Sequence, residues 1–394
     1  MKIMRTLIQA SAKASFAPSN PYIAANSNLI SSNVNETEYA AWAVGTTYNL
    51  DDRVQIVTAP TTVTMTIAAP CVVSWTSHGL PVNTPVEFST TGTLPTGILA
   101  GRVYFVASTT ANSFKISNKP NGTPINSSGS QSGTHTCNAT RHDVWQSIAA
   151  SNTGNPPATS PTKWVRVGST NKFAMFDIGV SSQSSRSDSM DFTLRAKEVA
   201  DGIAFLNISA SSLQVTQTSS VDGDVYNETI DLVAPISESS YYAWFFDPIV
   251  RQADIILADL KPYSGADVRV ILTDTGGTVL CGGCILGKVF DIGGTLLGMS
   301  FGIDDYTAKL RDDFGNFYIQ EHSYSRKVSC EVRVPAAQSS ALSNQLAAYR
   351  AIPTVYIGAE SVPGSFTFGF YERYLMTADY ISEHLMSIEI KGLI

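Results

Sequence analysis

The stretch MDFTLRAKEVADGIAFLNISASSLQVTQT, residues 190–218, decides the fold class. Its runs MDFTLRA, GIAFLNIS and SLQVTQT are rich in β-branched and aromatic residues, and turn-forming residues separate them, as in strands joined by tight turns. Similar runs occur at 173–180, 241–247, 253–260, 266–274 and 284–294. About eight antiparallel strands over residues 169–295 therefore predict a β-sandwich of the jelly-roll type.

The composition agrees with a mostly β chain of several domains. With 394 residues, the sequence exceeds the size at which a single hydrophobic core stops growing. Hydrophobic residues make up 43% and charged residues only 15%, with 28 glycines and 18 prolines, which is typical of strands joined by many turns.

Charge and hydropathy exclude two classes of partner. The formal net charge is −7, and lysine and arginine are scattered, so there is no basic stripe for nucleic acid. No apolar run approaches the roughly 20 residues that span a bilayer, so we expect no membrane insertion.

Residues 1–36 are rich in serine, asparagine and alanine and show no sustained period of strand or helix. They are predicted to form an N-terminal arm or linker. The first residues, MKIMRTLIQASAKASFAPSN, share basic and small residues with secretion signals, but Gln9 and Lys13 interrupt the apolar core. We therefore expect no cleaved signal.

The next segment predicts a small module interrupted by an insertion. AWAVGTTYNLDDRVQIV, residues 41–57, has turns at Gly45 and at 49–52 before an alternating strand, which indicates a short hairpin. Sequence that continues the same small module resumes only at residues 143–168, DVWQSIAASNTGNPPATSPTKWVRVG. The module is therefore predicted to comprise residues 37–59 and 143–168. Residues 60–142 alternate short β-branched runs with turn residues, which predicts an inserted small β-barrel.

The last part, residues 296–394, predicts an α+β unit. Strand-like runs occupy 317–334, 366–378 and 384–394. Between them lies an amphipathic helix that ends before Pro353, with its apolar positions at Leu342, Leu346, Ala347 and Tyr349.

Four aromatic residues of the split module are the candidate functional residues: Trp42, Tyr48, Trp145 and Trp164. Flat aromatic faces stack on the C–H faces of sugar rings, so these side chains are candidates for carbohydrate binding. The alternative is that they form the core of a module too small to be filled otherwise. Solvent exposure of Trp42 and Trp145 separates the two interpretations.

Several short sequence motifs resemble metal or redox sites. Asp222, Asp224 and Glu228 place three carboxylates in a short loop, as a weak calcium candidate, against the alternative of a glycine turn with solvated acids. Cys281 and Cys284 have redox or zinc spacing, and the only candidates for further zinc ligands are Cys330 and His322. We expect no metal and no cofactor.

Five cysteines are too few for a disulfide scaffold. Cys71 and Cys137 bracket the inserted segment, and two alternatives remain for them: a disulfide between neighbouring strands, or two reduced buried thiols.

The sequence does not predict an enzyme. Asp313-Phe314-Gly315 has none of the other kinase motifs around it and is interpreted as a turn. No HExxH or GxSxG motif is present. Asp304-Asp305 and Asp312-Asp313 are the obvious carboxylate pairs for glycoside cleavage, but successive residues on a strand point to opposite faces.

The pattern AW-x5-Y-x5-V, an aromatic residue, and then SNTGNPP-x6-KW-x-V resembles the type-3 chitin-binding modules of bacterial chitinases and phage tail proteins. The resemblance implies a small twisted sheet whose exposed aromatics grip polysaccharide. The insertion is a departure near the implied sugar-facing edge.

Two further segments resemble phage tail proteins. The insert, through residues 74–106 and 128–136, is similar to a small barrel domain repeated in those proteins. Residues 171–394 resemble tail-tip or baseplate structural proteins through TNKFAMFD, FGIDDYTAKLRDDFGNF, LAAYRAIPTVYIG and SIEIKGLI. The jelly roll resembles galactose-binding-like sandwiches, which implies a second sugar site of unknown position.

The expected function is therefore that of a non-enzymatic structural component of a bacteriophage tail tip or baseplate that contributes to adhesion to a host-surface glycan. Its expected partners are other tail proteins, the glycan, and further copies in a trimer or ring, because several weak sites give useful avidity. Its expected location is the virion, after synthesis in the bacterial cytoplasm. The alternatives are a tail-associated glycan depolymerase and a purely structural tail component.

Overall fold

A computed structural model describes residues 1–8, 29–57, 60–119, 121–139, 142–195, 199–233, 251–311, 314, 317–350, 353–359, 362, 364–378 and 380–393. The predicted mostly β fold class is confirmed, since strands dominate and the described helices are short. No described helix has both the length and the apolar character to cross a membrane.

The strands of the first 170 residues are β1 (Lys2–Ile8), β2 (Leu29–Ser32), β3 (Thr47–Tyr48), β4 (Arg53–Val57), β5 (Thr61–Met65), β6 (Val72–Ser74), β7 (Pro85–Thr90), β8 (Val103–Thr109), β9 (Ser113–Ser117), β10 (His135–Ala139), β11 (His142–Ser147), β12 (Asn152–Thr153) and β13 (Trp164–Ser169). A short helix α1 (Asn171–Ala174) follows.

The remaining strands are β14 (Ser184–Arg195), β15 (Val199–Ala200), β16 (Gly202–Ser209), β17 (Ser212–Ser219), β18 (Gly223–Asp231), β19 (Ile255–Leu257), β20 (Tyr263–Ser264), β21 (Asp267–Asp291), β22 (Gly294–Thr295), β23 (Ser300–Asp305), β24 (Ala308–Arg311), β25 (Phe317–Gln320), β26 (Tyr324–Pro335), β27 (Thr354–Ile357), β28 (Phe366–Thr377) and β29 (Glu383–Gly392). Helix α2 (Ser339–Tyr349) lies between β26 and β27.

The predicted barrel is confirmed. Strands β5 to β10 close into a barrel in the order β10-β5-β6-β9-β8-β7, with β10 paired to β7 as well as to β5. Alternate side chains of these strands point inward, and Phe88, Tyr104 and Phe114 fill the interior. Cys71 and Cys137 lie in the same core as free thiols, and burial raises the pKa of each. Two reduced buried thiols are therefore what the structure contains.

Both sides of the barrel insertion join in one sheet. Strand β4 pairs with β11, and β11 pairs with β13. The predicted hairpin within residues 41–57 is wrong, because β3 pairs with β12 and not with β4. The reason is that β11, about a hundred residues later, provides the partner for the alternating strand at β4.

Long strand β21 organises the rest of the described chain. It pairs with β14, β16, β17 and β1, and the sheet continues through β27, β28, β29 and β26 to β22. One 14-stranded sheet therefore crosses the predicted boundary between residues 169–295 and 296–394. A large core lies along β14, β16, β17 and β21, and a second core lies between α2 and strands β26, β28 and β29.

The interpretation of residues 1–36 as an arm or linker is wrong where the structure describes them. Strand β1 is inserted between β21 and β27, and Met4 is fully buried. Strand β2 pairs with β14, and Val34 lies in the large core. The partner strands supply the backbone hydrogen bonds that this polar sequence cannot find locally.

The predicted helix is confirmed as α2, with Leu342, Leu346 and Tyr349 buried and Ala347 exposed. Some predictions lie outside the described residues. These are the run at 241–247, the pair Asp312-Asp313, and all of the Asp313-Phe314-Gly315 turn except Phe314.

Candidate functional site

Tyr48 and Trp164, two of the four candidate sugar-binding aromatics, are core residues. Tyr48 is 8% exposed and Trp164 only 2%, and their rings meet edge to face with centroids 5.1 Å apart. The indole Nε1 of Trp164 donates a hydrogen bond to the carbonyl oxygen of Asn155 at 2.8 Å, and the amide of Ala43 donates one to the Tyr48 hydroxyl at 2.8 Å. Both rings are therefore fixed inside the module.

Trp145 and Trp42 differ in exposure. Trp145 is 6% exposed and belongs to the same core, whereas Trp42 is half-buried and packs against it from outside. Residues 40–42 run alongside β4, with the amide of Trp42 donating to the carbonyl of Gln55 at 3.1 Å. The structure thus brings the four aromatics together, but as a core with one ring at its edge.

The carboxylates of the suggested calcium loop do not converge. The hydroxyl of Thr218 donates to Asp224 at 2.7 Å, Tyr226 donates to Glu228, and Asp222 faces the hydroxyl of Tyr263. Among the described residues, no group of three or more histidine, cysteine, aspartate or glutamate side chains is placed to hold a metal ion. The segment is instead the β17–β18 hairpin turn, in which Gly223 has a φ of +73°.

The Cys281-Gly-Gly-Cys284 motif serves close packing. Both cysteines are fully buried, and burial raises the pKa of Cys281 to about 12 and also raises that of Cys284, which disfavours the reactive thiolates. A Cβ atom at Gly282 would lie 2.3 Å from the carbonyl oxygen of Val180. The glycine therefore lets the 177–183 loop lie directly on β21.

The remaining candidate residues, two possible zinc ligands and one carboxylate pair, do not come together in a site. Cys330 is buried in the core against α2, whereas His322 is exposed at the end of β25. Asp305 pairs with Lys309 at 2.7 Å, and hydrogen bonds from Lys309 and Thr307 lower the pKa of its carboxyl. Asp304 faces a different lysine, Lys391, at 3.7 Å. The two acids are thus engaged separately.

A cleft of about 610 Å³ lies where the two halves of the large sheet meet. Its floor contains the buried residues Leu206, Thr367 and Phe368, and its walls come from the 180–181 loop, residues 253–254, the 321–326 segment and residues 392–393. Asp254 forms an ion pair with Arg326 across it. Sequence reasoning missed the cleft because its residues come from distant segments, none with a local motif.

One residue of the cleft has a strained backbone. Asn207 adopts a left-handed conformation, with a φ of +49°, inside strand β16. Its amide donates to Asp254 at 2.8 Å, its Nδ2 donates to the Val180 carbonyl at 2.9 Å, and its own carbonyl accepts from Gln183 at 2.8 Å. Three hydrogen bonds thus hold a conformation that costs about 1 kcal/mol or more, as residues at binding sites often show.

Strand β23 is paired with β26 in the large sheet, and β24 and β25 form a separate two-stranded sheet after it; we call these three strands the apolar arm. Its large hydrophobic side chains are between 42% and 92% exposed, and they are Phe301, Ile303, Tyr306, Leu310, Phe314, Phe317, Tyr318 and Ile319. An exposed apolar cluster of this kind is typical of an interaction surface.

The β24–β25 hairpin of the arm carries large hydrophobic side chains on both faces, and one of the faces also carries Lys309 and Arg311. In the two-stranded sheet of β24 and β25, Leu310 lies opposite Tyr318 on one face. Phe317 and Ile319 lie on the other face, because side chains alternate along a strand. An isolated two-stranded hairpin is marginally stable in water, so this hairpin is suited to being covered by a partner. Its sequence signal is the apolar run Phe317–Ile319, which follows a turn.

No protein-family model, curated protein or solved structure matches the chain.

Proposed function

We propose that this chain is a non-enzymatic structural subunit of a bacteriophage tail tip or baseplate, joined to neighbouring subunits through the apolar arm. The observation that carries the proposal is the exposure of large hydrophobic side chains on both faces of the β24–β25 hairpin. The resemblance of residues 171–394 to tail-tip proteins is the reason for proposing a phage tail as the assembly. One of the segments that carry this resemblance, FGIDDYTAKLRDDFGNF, contains most of the arm.

The partner of the arm is a second copy of the chain. Strand β18 pairs only with β17 among the described strands, so it offers an open edge on the large sheet. This edge carries Asp224, Glu228 and Asp231, whereas β24 carries Lys309 and Arg311. An arm docked on the β18 edge of the next copy joins unlike surfaces. Repetition of such a contact forms a ring where the rotation between copies closes, and an open filament where it does not.

The test is the mass of the purified protein in solution by size-exclusion chromatography with light scattering. We expect an oligomer for the wild type and a monomer for the double variant Phe317→Ser, Ile319→Ser. Ile381→Ser is the control, because Ile381 is a fully exposed hydrophobic residue that lies outside the arm. A monomeric wild type at high concentration, or an unchanged oligomer in the double variant, would contradict the proposal.

Glycan adhesion is the second part of the proposed role. Of the four module aromatics, Trp42 is the one that is only half-buried, so adhesion through this module depends on Trp42. Loss of binding to host lipopolysaccharide in Trp42→Ala, with the fold intact, would support a site there. If Trp42→Ala still binds, the adhesion site lies outside the split module. If the wild type does not bind, a purely structural component is the better account.

The depolymerase alternative is less well supported. Glycoside cleavage needs two carboxyl groups facing each other across the substrate. The cleft does contain Asp254 and Glu321, but Asp254 is held by Arg326 and by the amide of Asn207. Incubation of host polysaccharide with the protein, followed by measurement of reducing ends, tests this alternative directly.

A further inference from the structure

We infer that the cleft between β16, β26 and β28 is a binding site for a neutral saccharide. This inference is independent of the arm, since it concerns a different surface, and it gives adhesion a location outside the split module. The cleft volume of about 610 Å³ falls in the range of small-molecule sites and has room for one or two sugar rings.

Polar groups of both kinds converge on the cleft. Asp254 supplies carboxylate oxygens and Arg326 supplies guanidinium donors, and the two are paired with each other.

Apolar surfaces lie beside these polar groups. Phe368 is in the floor, Phe366 is half-buried at its edge, and Tyr324 stands exposed at the rim. A sugar ring has polar hydroxyl edges and apolar C–H faces, so it needs both kinds of surface at once. The combination disfavours a purely apolar ligand, which would remove solvent from the Asp254–Arg326 pair without offering it a hydrogen bond.

The charges disfavour an anionic ligand. Asp254 and Glu321 both line the cleft, whereas Arg326 is the one guanidinium among its described lining residues. Because Arg326 is already paired with Asp254, an acidic sugar or a phosphate would meet the uncompensated carboxylate of Glu321. A neutral sugar meets no such repulsion.

The cleft is also preorganised. Asn207 is held by three hydrogen bonds in its left-handed conformation, and its amide fixes Asp254. On the other side, Gly282 allows the loop that carries Val180 to lie against β21. The polar floor is thus fixed before a ligand arrives, which reduces the ordering cost of binding.

The experiment is ligand-observed NMR titration of the purified full chain with the methyl glycosides of galactose, glucose, rhamnose and N-acetylglucosamine. Galacturonic acid serves as the anionic counterpart of galactose. We expect at least one neutral sugar to bind with a Kd on the order of millimolar, as single lectin-like sites do. Galacturonic acid should bind more weakly than galactose.

Two variants locate the site. Tyr324→Ala removes an exposed ring at the rim and should abolish measurable binding, whereas Trp42→Ala in the split module should leave it unchanged.

Circular dichroism confirms that each variant folds. The inference is overturned if no neutral sugar binds, if galacturonic acid binds best, if Tyr324→Ala binds as well as the wild type, or if Trp42→Ala alone abolishes binding. Each of these results leaves the oligomer test of the arm unaffected, so the two proposals fail separately.

Discussion

The imidazole Nδ1 of His142 lies 2.5 Å from the carboxylate Oε1 of Glu36. The same Oε1 accepts a hydrogen bond from the hydroxyl of Thr170 at 2.7 Å, and the His142 ring stacks on Phe173 with centroids 3.6 Å apart. One carboxylate therefore ties the segment before the split module to both the start of β11 and the start of α1.

The first prediction concerns Glu36. Burial favours the neutral carboxyl, but the hydrogen bond and charge of His142, with smaller contributions from Thr170 and Lys172, outweigh it and lower the pKa of Glu36 below its ordinary 4.5. A lowered pKa in the folded state stabilises the fold above the unfolded-state value, and this stability is lost as pH falls through the folded value. Glu36→Gln should therefore be less stable at pH 7 by about 1 kcal/mol.

The measurement is urea unfolding of both proteins between pH 3 and pH 8. The difference between them should shrink as the pH falls below the ordinary value of 4.5. A difference that stayed constant over the whole range would show that the charge of Glu36 plays no part.

Asp177 gives a prediction of the opposite sign. Burial raises the pKa of its carboxyl from 3.8 to about 6, although hydrogen bonds from Ser182 and Gly179 oppose the rise. The folded state then binds more protons than the unfolded state, so Asp177 lowers stability as pH rises from about 4 to about 6. Asp177→Asn keeps an oxygen for both hydrogen bonds and should be more stable at pH 7 by up to about 2 kcal/mol.

Thermal unfolding at pH 4 and pH 7 tests this. The gain in Tm should be present at pH 7 and nearly absent at pH 4. Equal Tm values for variant and wild type at pH 7 would rule out a buried, charged carboxylate at this position.

The close contact at Gly282 predicts a large effect of a single methyl group. In Gly282→Ala the new Cβ would be 2.3 Å from the Val180 carbonyl oxygen, so the loop or β21 must move. We expect a loss of about 2–3 kcal/mol in unfolding free energy by denaturant titration. Gly168→Ala in β13 is the control, because its Cβ would meet nothing within 4 Å. Equal stability of the two variants would contradict the packing described for the loop.

The module aromatics differ in their predicted cost of truncation. Trp145→Ala empties a buried site and should destabilise the module by about 3–5 kcal/mol. Trp42→Ala removes a half-buried ring at the edge and should cost about 1–2 kcal/mol. Urea unfolding monitored by circular dichroism compares the two, and a Trp145 variant as stable as the Trp42 variant would mean that Trp145 is not a core residue.

The thiols should be unreactive in the native protein. All five cysteines are free and buried, and burial raises the pKa of each of them. Ellman's reagent at pH 8 should therefore detect almost no thiol in the folded state and all five after denaturation. Rapid native reaction of even one thiol would indicate an accessible cysteine.

Local patterns predicted the local structure well. The alternation in SLQVTQT predicted β17, in which inward and outward side chains alternate, and the spacing of turn residues predicted the barrel. The periodicity of Leu342 and Leu346 predicted α2. In each case the signal is a local pattern of alternation, turn spacing or helical period, so a short stretch of sequence is enough to carry it.

Distant pairing was not predictable in the same way. Strand β3 joins β12 and not its neighbour β4, because the choice depends on residues about a hundred positions away. For the same reason no local motif predicts the cleft in which the Asp254–Arg326 pair and Asn207 meet. The four module aromatics lie together in one cluster, but sequence alone left open whether they face inward.

The position of β1 determines the order in which this protein can fold. Lys2 is paired with Asp291 on one side and with Ile357 on the other, so the strand cannot be enclosed until the ribosome has made nearly the whole of this sequence. The barrel needs only its own consecutive strands and can form early during synthesis. Until β27 emerges, β1 remains an unprotected edge, and this interval is when a chaperone would be most useful to the nascent chain.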